Sequence, residues 1–182
     1  IGIFIDLAKA FDTVNHNILL TKLNHYGVRG IPLQWLKSYL ANRSQYVCIN
    51  GKSSRKLPIT CGVPQGSILG PLLFLLYIND LNSVTKLLSF IIFADDTNIF
   101  VSGKNLDKLT SIVNTELKTI NTWFSANLLS LNIKKTNYIL FGNQKMHDIP
   151  ISINDENITR VSQTKFLGVI IQCTNCTAAD MS

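Results

Sequence analysis

LLSFIIFADDTNIFV, residues 87–101, sets two adjacent acids, Asp95 and Asp96, between apolar runs. Continuous β-branched and aromatic residues on either side predict two strands, Leu87–Ala94 and Thr97–Val101, joined at the acid pair. Acids are costly in such surroundings, because burying an unpaired charge costs several kcal/mol. The pair must reach water or meet a strong counter-charge. A solvated hairpin turn also satisfies that demand, since Asp is common in turns.

A third acid changes the weighing. Asp6 ends the apolar run IGIFI, residues 1–5, which predicts a buried strand. If that strand lies beside the hairpin, three carboxylates converge at neighbouring strand ends and repel one another. Divalent cations would hold them together, and oxygen ligands suit Mg²⁺. Two such ions a few Å apart can activate an attacking hydroxyl and stabilise the leaving oxygen of an in-line phosphoryl transfer.

The flanking sequence supplies the rest of an α/β domain. Ile18, Leu19, Leu20, Leu23 and Tyr26 have helical spacing, closed by Gly27. Pro32 sits in the first turn of a second helix, with Leu33, Leu36, Tyr39 and Leu40 on one stripe. Asn50-Gly51 predicts a hairpin between Gln45–Ile49 and Lys56–Thr60, with Lys52, Arg55 and Lys56 at its tip. CGVPQGSILGP, residues 61–71, reads as a loop entering an apolar helix that runs to about Leu81. Leu106, Leu109, Val113, Leu117, Ile120 and Phe124 recur every three or four positions, which predicts one long amphipathic helix from Asn105 to Leu128. Short strands are expected at Tyr138–Phe141, Ile151–Ile153 and Phe166–Ile171. The order fits a split β-α-β, ferredoxin-like arrangement.

Composition narrows the class. With 46% hydrophobic and 15% charged residues the chain is a folded protein, not a disordered one. Its 182 residues suit one compact domain. The net charge of +6 favours a polyanionic partner, although many basic proteins bind no nucleic acid. The longest apolar stretch, Ile68–Ile78, is interrupted by Gly70-Pro71 and falls short of the roughly 20 residues of a membrane span. Cys48, Cys61, Cys173 and Cys176 are expected to be reduced thiols, and no second Cys/His pair completes a zinc site around the last two.

FIDLAKAFDTVNH, CGVPQGSILGPLLFLLYINDL, FADD, LNIKKT and KFLGVII occur in that order between Ile3 and Ile171. The set resembles the successive palm motifs of reverse transcriptases, and its wording is most similar to the non-LTR, LINE-type and jockey-like retrotransposon enzymes. The resemblance implies an α/β palm: a ferredoxin-like antiparallel sheet packed against helices, spanning residues 1–171. On this reading fingers and thumb are missing, and residues 172–182 are an aberrant or truncated tail. It implies an RNA-directed DNA polymerase that adds deoxynucleotides to a primer 3′-hydroxyl with two Mg²⁺ ions, for which Mn²⁺ can substitute. Asp6, Asp95 and Asp96 would be catalytic and ligate the metal. Phe11 would lie beneath the sugar of the incoming nucleotide and exclude a 2′-hydroxyl; a core Phe fits the same position. Gln65 and Gly66 would meet the nucleotide and template, and Lys135, or Lys134 one register away, the triphosphate. Phe166, Leu167 and Gly168 would hold the primer terminus.

Implied partners are an RNA template, a DNA primer or target, and deoxynucleoside triphosphates, with no membrane; copying at chromosomal DNA points to the nucleus. Asp12 and His16 match the family wording without a chemical role, and helix-start capping accounts for Asp12. The alternative is a catalytically inert nucleic-acid-binding relic of a retroelement.

Overall fold

The structure, a computed structural model, describes residues 1–142 and 149–173. The chain forms two compact units: residues 1–8 with residues 81 onward, and residues 9–80.

The first unit is built on a five-stranded sheet in the order Thr159–Arg160, Asn137–Ile139, Gly2–Ile5, Asp96–Phe100, Ser89–Phe93. Gly2–Ile5 is its central strand, antiparallel to both neighbours, and the Thr159–Arg160 edge alone is parallel. A central strand is covered on both faces, so its sequence is continuously apolar and all four residues are buried. Gly2 makes room for aromatics: a Cβ there would sit 3.0 Å from the rings of Phe100 and Phe141. The sheet and its helices give the mixed α/β class expected from sequence.

The long helix spans Leu106–Ala126. Asn105 caps it, its side chain accepting from the Lys108 backbone N–H at 2.9 Å. Leu109, Val113, Leu117, Ile120 and Phe124 are all buried, as the three-four spacing requires. Asn114 ties the helix to the next strand: its amide donates to Pro150 O at 2.8 Å and its carbonyl accepts from Ser152 N at 3.0 Å.

Two buried polar atoms of this unit, Thr97 Oγ1 and Asn137 Oδ1, have no hydrogen-bond partner among the described residues. Thr97 is fully buried beside Ile5, and its Oγ1 makes no hydrogen bond. An unpaired buried hydroxyl costs about 1–3 kcal/mol. Thr97→Val is therefore expected to stabilise the protein by about 1 kcal/mol, read as a higher urea midpoint at unchanged slope. A lower midpoint would mean that the hydroxyl is satisfied.

In the second unit Asn15 starts the helix His16–His25, accepting from the Asn17 and Ile18 N–H groups at 3.0 and 3.1 Å. The next helix, Gly30–Leu40, buries only Leu40 of its expected stripe; Leu33, Leu36 and Tyr39 are half-buried. The turn at Asn50-Gly51 forms, with φ of 49° and 77°, both left-handed as a two-residue hairpin needs. Its strands pair differently from expectation. Ile49 pairs with Lys52 directly across the turn, and Ser44–Gln45 pairs with Leu57–Pro58 further out. A two-residue loop forces its immediate neighbours to pair, so Cys48–Ile49 meets Lys52–Ser53, and of the two expected strands only Gln45 and Leu57 face each other.

The apolar helix Leu69–Ile78 buries Leu73, Phe74, Tyr77 and Ile78. Lys22 bridges its C-terminal end, bonding Tyr77 O and the Asp80 carboxylate. No helix among the described residues is long and apolar enough to cross a membrane.

The expectation of reduced thiols holds at Cys48 and Cys61, which are free and exposed, and fails at Cys173, which is disulfide-bonded. Pairing depends on which sulfur the fold brings within bonding reach, which a cysteine count does not report. Cys176 lies outside the described residues, as does the segment from residue 174 onward.

Candidate active site

The first unit gathers the three sequence-selected acids at one end of neighbouring strands. Ser89–Phe93 and Asp96–Phe100 are joined by Ala94-Asp95 alone, with Phe93 paired to Asp96. Ala94 takes φ 52° to close this turn. Asp95 and Asp96 are exposed there. On the central strand the last paired residue is Ile5, opposite Thr97. Continuing that register by one puts Asp6 opposite Asp96, on the same face, where cross-strand Cβ atoms lie about 4.5–5.5 Å apart.

Electrostatics agree with this placement. Asp96 is held above the ordinary carboxylate value, first by partial desolvation, then by the negative charges of Asp95 and Asp6, with Lys165 offsetting part of the effect. Three hard oxygen donors in mutual repulsion suit a divalent cation. As placed, the side chains are not drawn together into a cage: among the described residues no group of three His, Cys, Asp or Glu has metal-holding geometry.

Asp6 is half-buried and its backbone is pinned. Its N–H donates to Thr136 Oγ1 at 3.3 Å and its carbonyl accepts from Asn132 N at 2.8 Å. The same two residues bracket the turn that carries Lys134 and Lys135, both exposed. The lysine turn is thus fastened to the residue that carries the first acid.

The KFLGVII segment is a hairpin, not the single strand its apolar pattern suggests. Gln163–Phe166 pairs with Val169–Gln172 around Leu167-Gly168, whose φ values are 49° and 85°. Phe166 packs edge-on against Phe4 and Phe100, with centroids 6.3 and 5.7 Å away. Phe4 and Phe100 meet at 5.9 Å. Phe4 pairs with Asn98, which alternates with Asp96 and Phe100 along its strand, and Asp6 follows two residues after Phe4, so this cluster shares the carboxylate face. It seats the Phe166–Gly168 turn on that face. Lys165, one residue before, is the charge that sequence reading missed. Its signal was only a basic residue beside the turn.

The second unit holds the other selected residues. Phe11 is half-buried, its ring 4.8 Å from that of Phe74. Gln65 and Gly66 are exposed on the loop after Cys61, with Gly66 at φ 78°. That loop is laced to residues 11–16. Val63 N donates to Phe11 O and Gly62 N to Val14 O, both at 2.8 Å; His16 Nε2 donates to Gly62 O at 2.7 Å. Gln65 Nε2 donates to Asp12 Oδ1 at 2.8 Å. Asp12 does not cap its helix, Ala10–Thr13, which has no side-chain cap. Both residues left without a role by sequence therefore brace this loop. A cavity of about 570 Å³, lined by Lys9, Asp12, Arg43, Gln45 and Gln65 among others, opens beside it.

Residues 1–171 match the family described as reverse transcriptase (RNA-dependent DNA polymerase). The chain belongs to the reverse transcriptase family. It is 29% identical over 178 residues to the RNA-directed DNA polymerase from mobile element jockey of Drosophila melanogaster, covering 94% of this chain and 19% of that protein. To the jockey polymerase of Drosophila funebris it is 30% identical, with 92% and 19% covered. The probable RNA-directed DNA polymerase from transposon BS of Drosophila melanogaster is 29% identical, with 93% and 20% covered. These relatives make it a reverse transcriptase domain of the non-LTR retrotransposon kind, spanning about a fifth of their length. Among solved structures, apo telomerase from Candida tropicalis, truncated from its C-terminal domain, superposes with TM-score 0.60 at 16% identity. That match covers 94% of this chain and 34% of the telomerase chain, and the likeness supports the palm-like fold of this reverse transcriptase domain.

Proposed function

We propose that this chain is the palm core of an RNA-directed DNA polymerase that adds deoxynucleotides to a primer 3′-hydroxyl on an RNA template. The observation that carries the reading is the pairing of Ile5 with Thr97, the residues that adjoin Asp6 and the Asp95-Asp96 pair, in a chain of this family. Asp6, Asp95 and Asp96 would hold Mg²⁺. When bound there, the metal would activate the attacking hydroxyl and stabilise the leaving oxygen of an in-line phosphoryl transfer.

The chain's own residues do the holding. Asp6 stays in place because Thr136 and Asn132 fix its backbone. Lys135 offers its cation to the triphosphate from the turn those residues bracket. Phe166, Leu167 and Gly168 hold the primer end above the face that Phe4 and Phe100 share with the carboxylates. Phe11, Gln65 and Gly66 meet the incoming nucleotide.

Charge supports a nucleic-acid partner. Residues 9–80 carry eight Lys and Arg against two Asp, the whole chain's net +6, and no acid occurs between Asp12 and Asp80. Neutralising Lys52, Arg55 and Lys56 with Gln is expected to weaken RNA–DNA duplex binding uniformly across sequences. It should also flatten the salt dependence, by up to about one unit of log–log slope per lost phosphate contact. An unchanged slope would remove the hairpin tip from the interface.

The reading as a whole is tested by primer extension on RNA with the complete polymerase. Divalent-cation-dependent incorporation of deoxynucleotides is the expected result; salt-sensitive binding with no incorporation would favour the inert relic.

A further inference from the structure

We propose that Asp12 is a positioning residue for nucleotide binding: its carboxylate holds the Gln65 amide in the one orientation that presents the amide carbonyl outward. The inference rests on the reading above, in which Gln65 meets the nucleotide.

A glutamine on an exposed loop has three free torsions and loses rotamer entropy when a ligand fixes it. Its terminal amide can also face either way, donor or acceptor outward. Asp12 removes both uncertainties. A carboxylate only accepts, so the group 2.8 Å from Asp12 Oδ1 is the Gln65 Nε2 donor. The Gln65 Oε1 acceptor is thereby turned away from Asp12. The bond is charge-assisted, the stronger kind.

The carboxylate in turn has little freedom of its own. Asp has a short side chain, and the Asp12 backbone lies directly under the loop. A Cβ added at Gly62 would come within 2.7 Å of the Asp12 carbonyl oxygen. Hydrogen bonds from Val63 to Phe11, Gly62 to Val14 and His16 to Gly62 hold the two segments on either side of that contact. Asp12 and Gln65 thus form a fixed unit on the wall of the 570 Å³ cavity. Lys9 and Arg43 on the same wall leave a cationic surround in which the single acid is committed to the amide. A nucleotide would meet an amide already oriented, and so would pay less to order it.

The test is steady-state primer extension by the complete polymerase with the nucleotide titrated. Asp12→Ala should raise the KM for deoxynucleotide about 10-fold with kcat within about twofold, the size of one oriented hydrogen bond. Asp12→Asn keeps an acceptor for the amide and should recover most of the affinity. In a Gln65→Ala background, itself weakened in KM, Asp12→Ala should add nothing further, because the two act through one group.

If Gln65→Ala raises KM while Asp12→Ala leaves it unchanged, or if the two losses add, the positioning role is wrong and the nucleotide reading stands. If Gln65→Ala leaves KM unchanged, the nucleotide reading of Gln65 fails. A parallel fall in kcat with a lowered melting temperature for Asp12→Ala, not rescued by Asn, would make Asp12 a structural residue and overturn the proposal.

Discussion

Asp95→Asn in the complete polymerase is expected to cut deoxynucleotide incorporation on RNA by about 10³-fold or more, with little change in melting temperature. Asn has nearly the shape of Asp, and Asp95 is exposed in the two-residue turn of its hairpin. Surface replacements of that kind usually change stability by no more than about 0.5 kcal/mol. The turn itself is set by the backbone of Ala94, which the substitution leaves alone. What is lost is one full negative charge from a set of three, and a neutral amide is a poor ligand for a hard divalent cation. Asp107→Asn, in the first turn of the long helix, is the matched control. It removes the same charge elsewhere in the same unit and should leave incorporation near normal. Near-normal incorporation by Asp95→Asn would take Asp95 out of the site, whatever the register suggests.

Gly62→Ala is expected to destabilise residues 9–80 by about 2–4 kcal/mol and to lower nucleotide affinity with it. Two costs combine. Gly62 sits at φ 84°, where an L-residue is disfavoured by about 1–2 kcal/mol. The new methyl would also lie 2.7 Å from Asp12 O and 3.0 Å from its C and Cα. All three are backbone atoms, which cannot rotate aside as a side chain would, so the loop must lift off residues 11–16. Gly66→Ala is the informative comparison. Its φ is 78°, but nothing lies within 4 Å of the added methyl. Only the conformational cost remains, about 1 kcal/mol. Urea unfolding of the two variants should therefore separate clearly, and equal losses would mean that the close approach at Gly62 contributes nothing.

The contrast between these two glycines illustrates where sequence reading reached and where it stopped. CGVPQGS announces a loop, and positive φ at its glycines is what such a loop uses. Nothing local says that one glycine touches Asp12 while the other faces open space. The helix Gly30–Leu40 stops the reading in another way. Its spacing was legible, yet only Leu40 is buried, because burial depends on what the fold sets against a stripe. The long helix is the opposite case, with its predicted stripe buried from Leu109 to Phe124 and only Leu106, at its first turn, half-buried.

The sequence by itself determined the strands around the three acids, the long helix, the turns at Asn50-Gly51 and Asp95, and the family. Periodicity and turn chemistry act over a few residues, so a one-dimensional reading contains them. Only the tertiary structure decided that Ile5 pairs with Thr97 and so brings Asp6 near Asp96, that Lys165 acts on Asp96, that Phe166 locks onto Phe4 and Phe100, and that Asp12 and His16 brace the loop of Gln65. Each of these joins residues tens of positions apart. Strand register and side-chain packing choose such partners, and both are properties of the assembled core rather than of any segment within it.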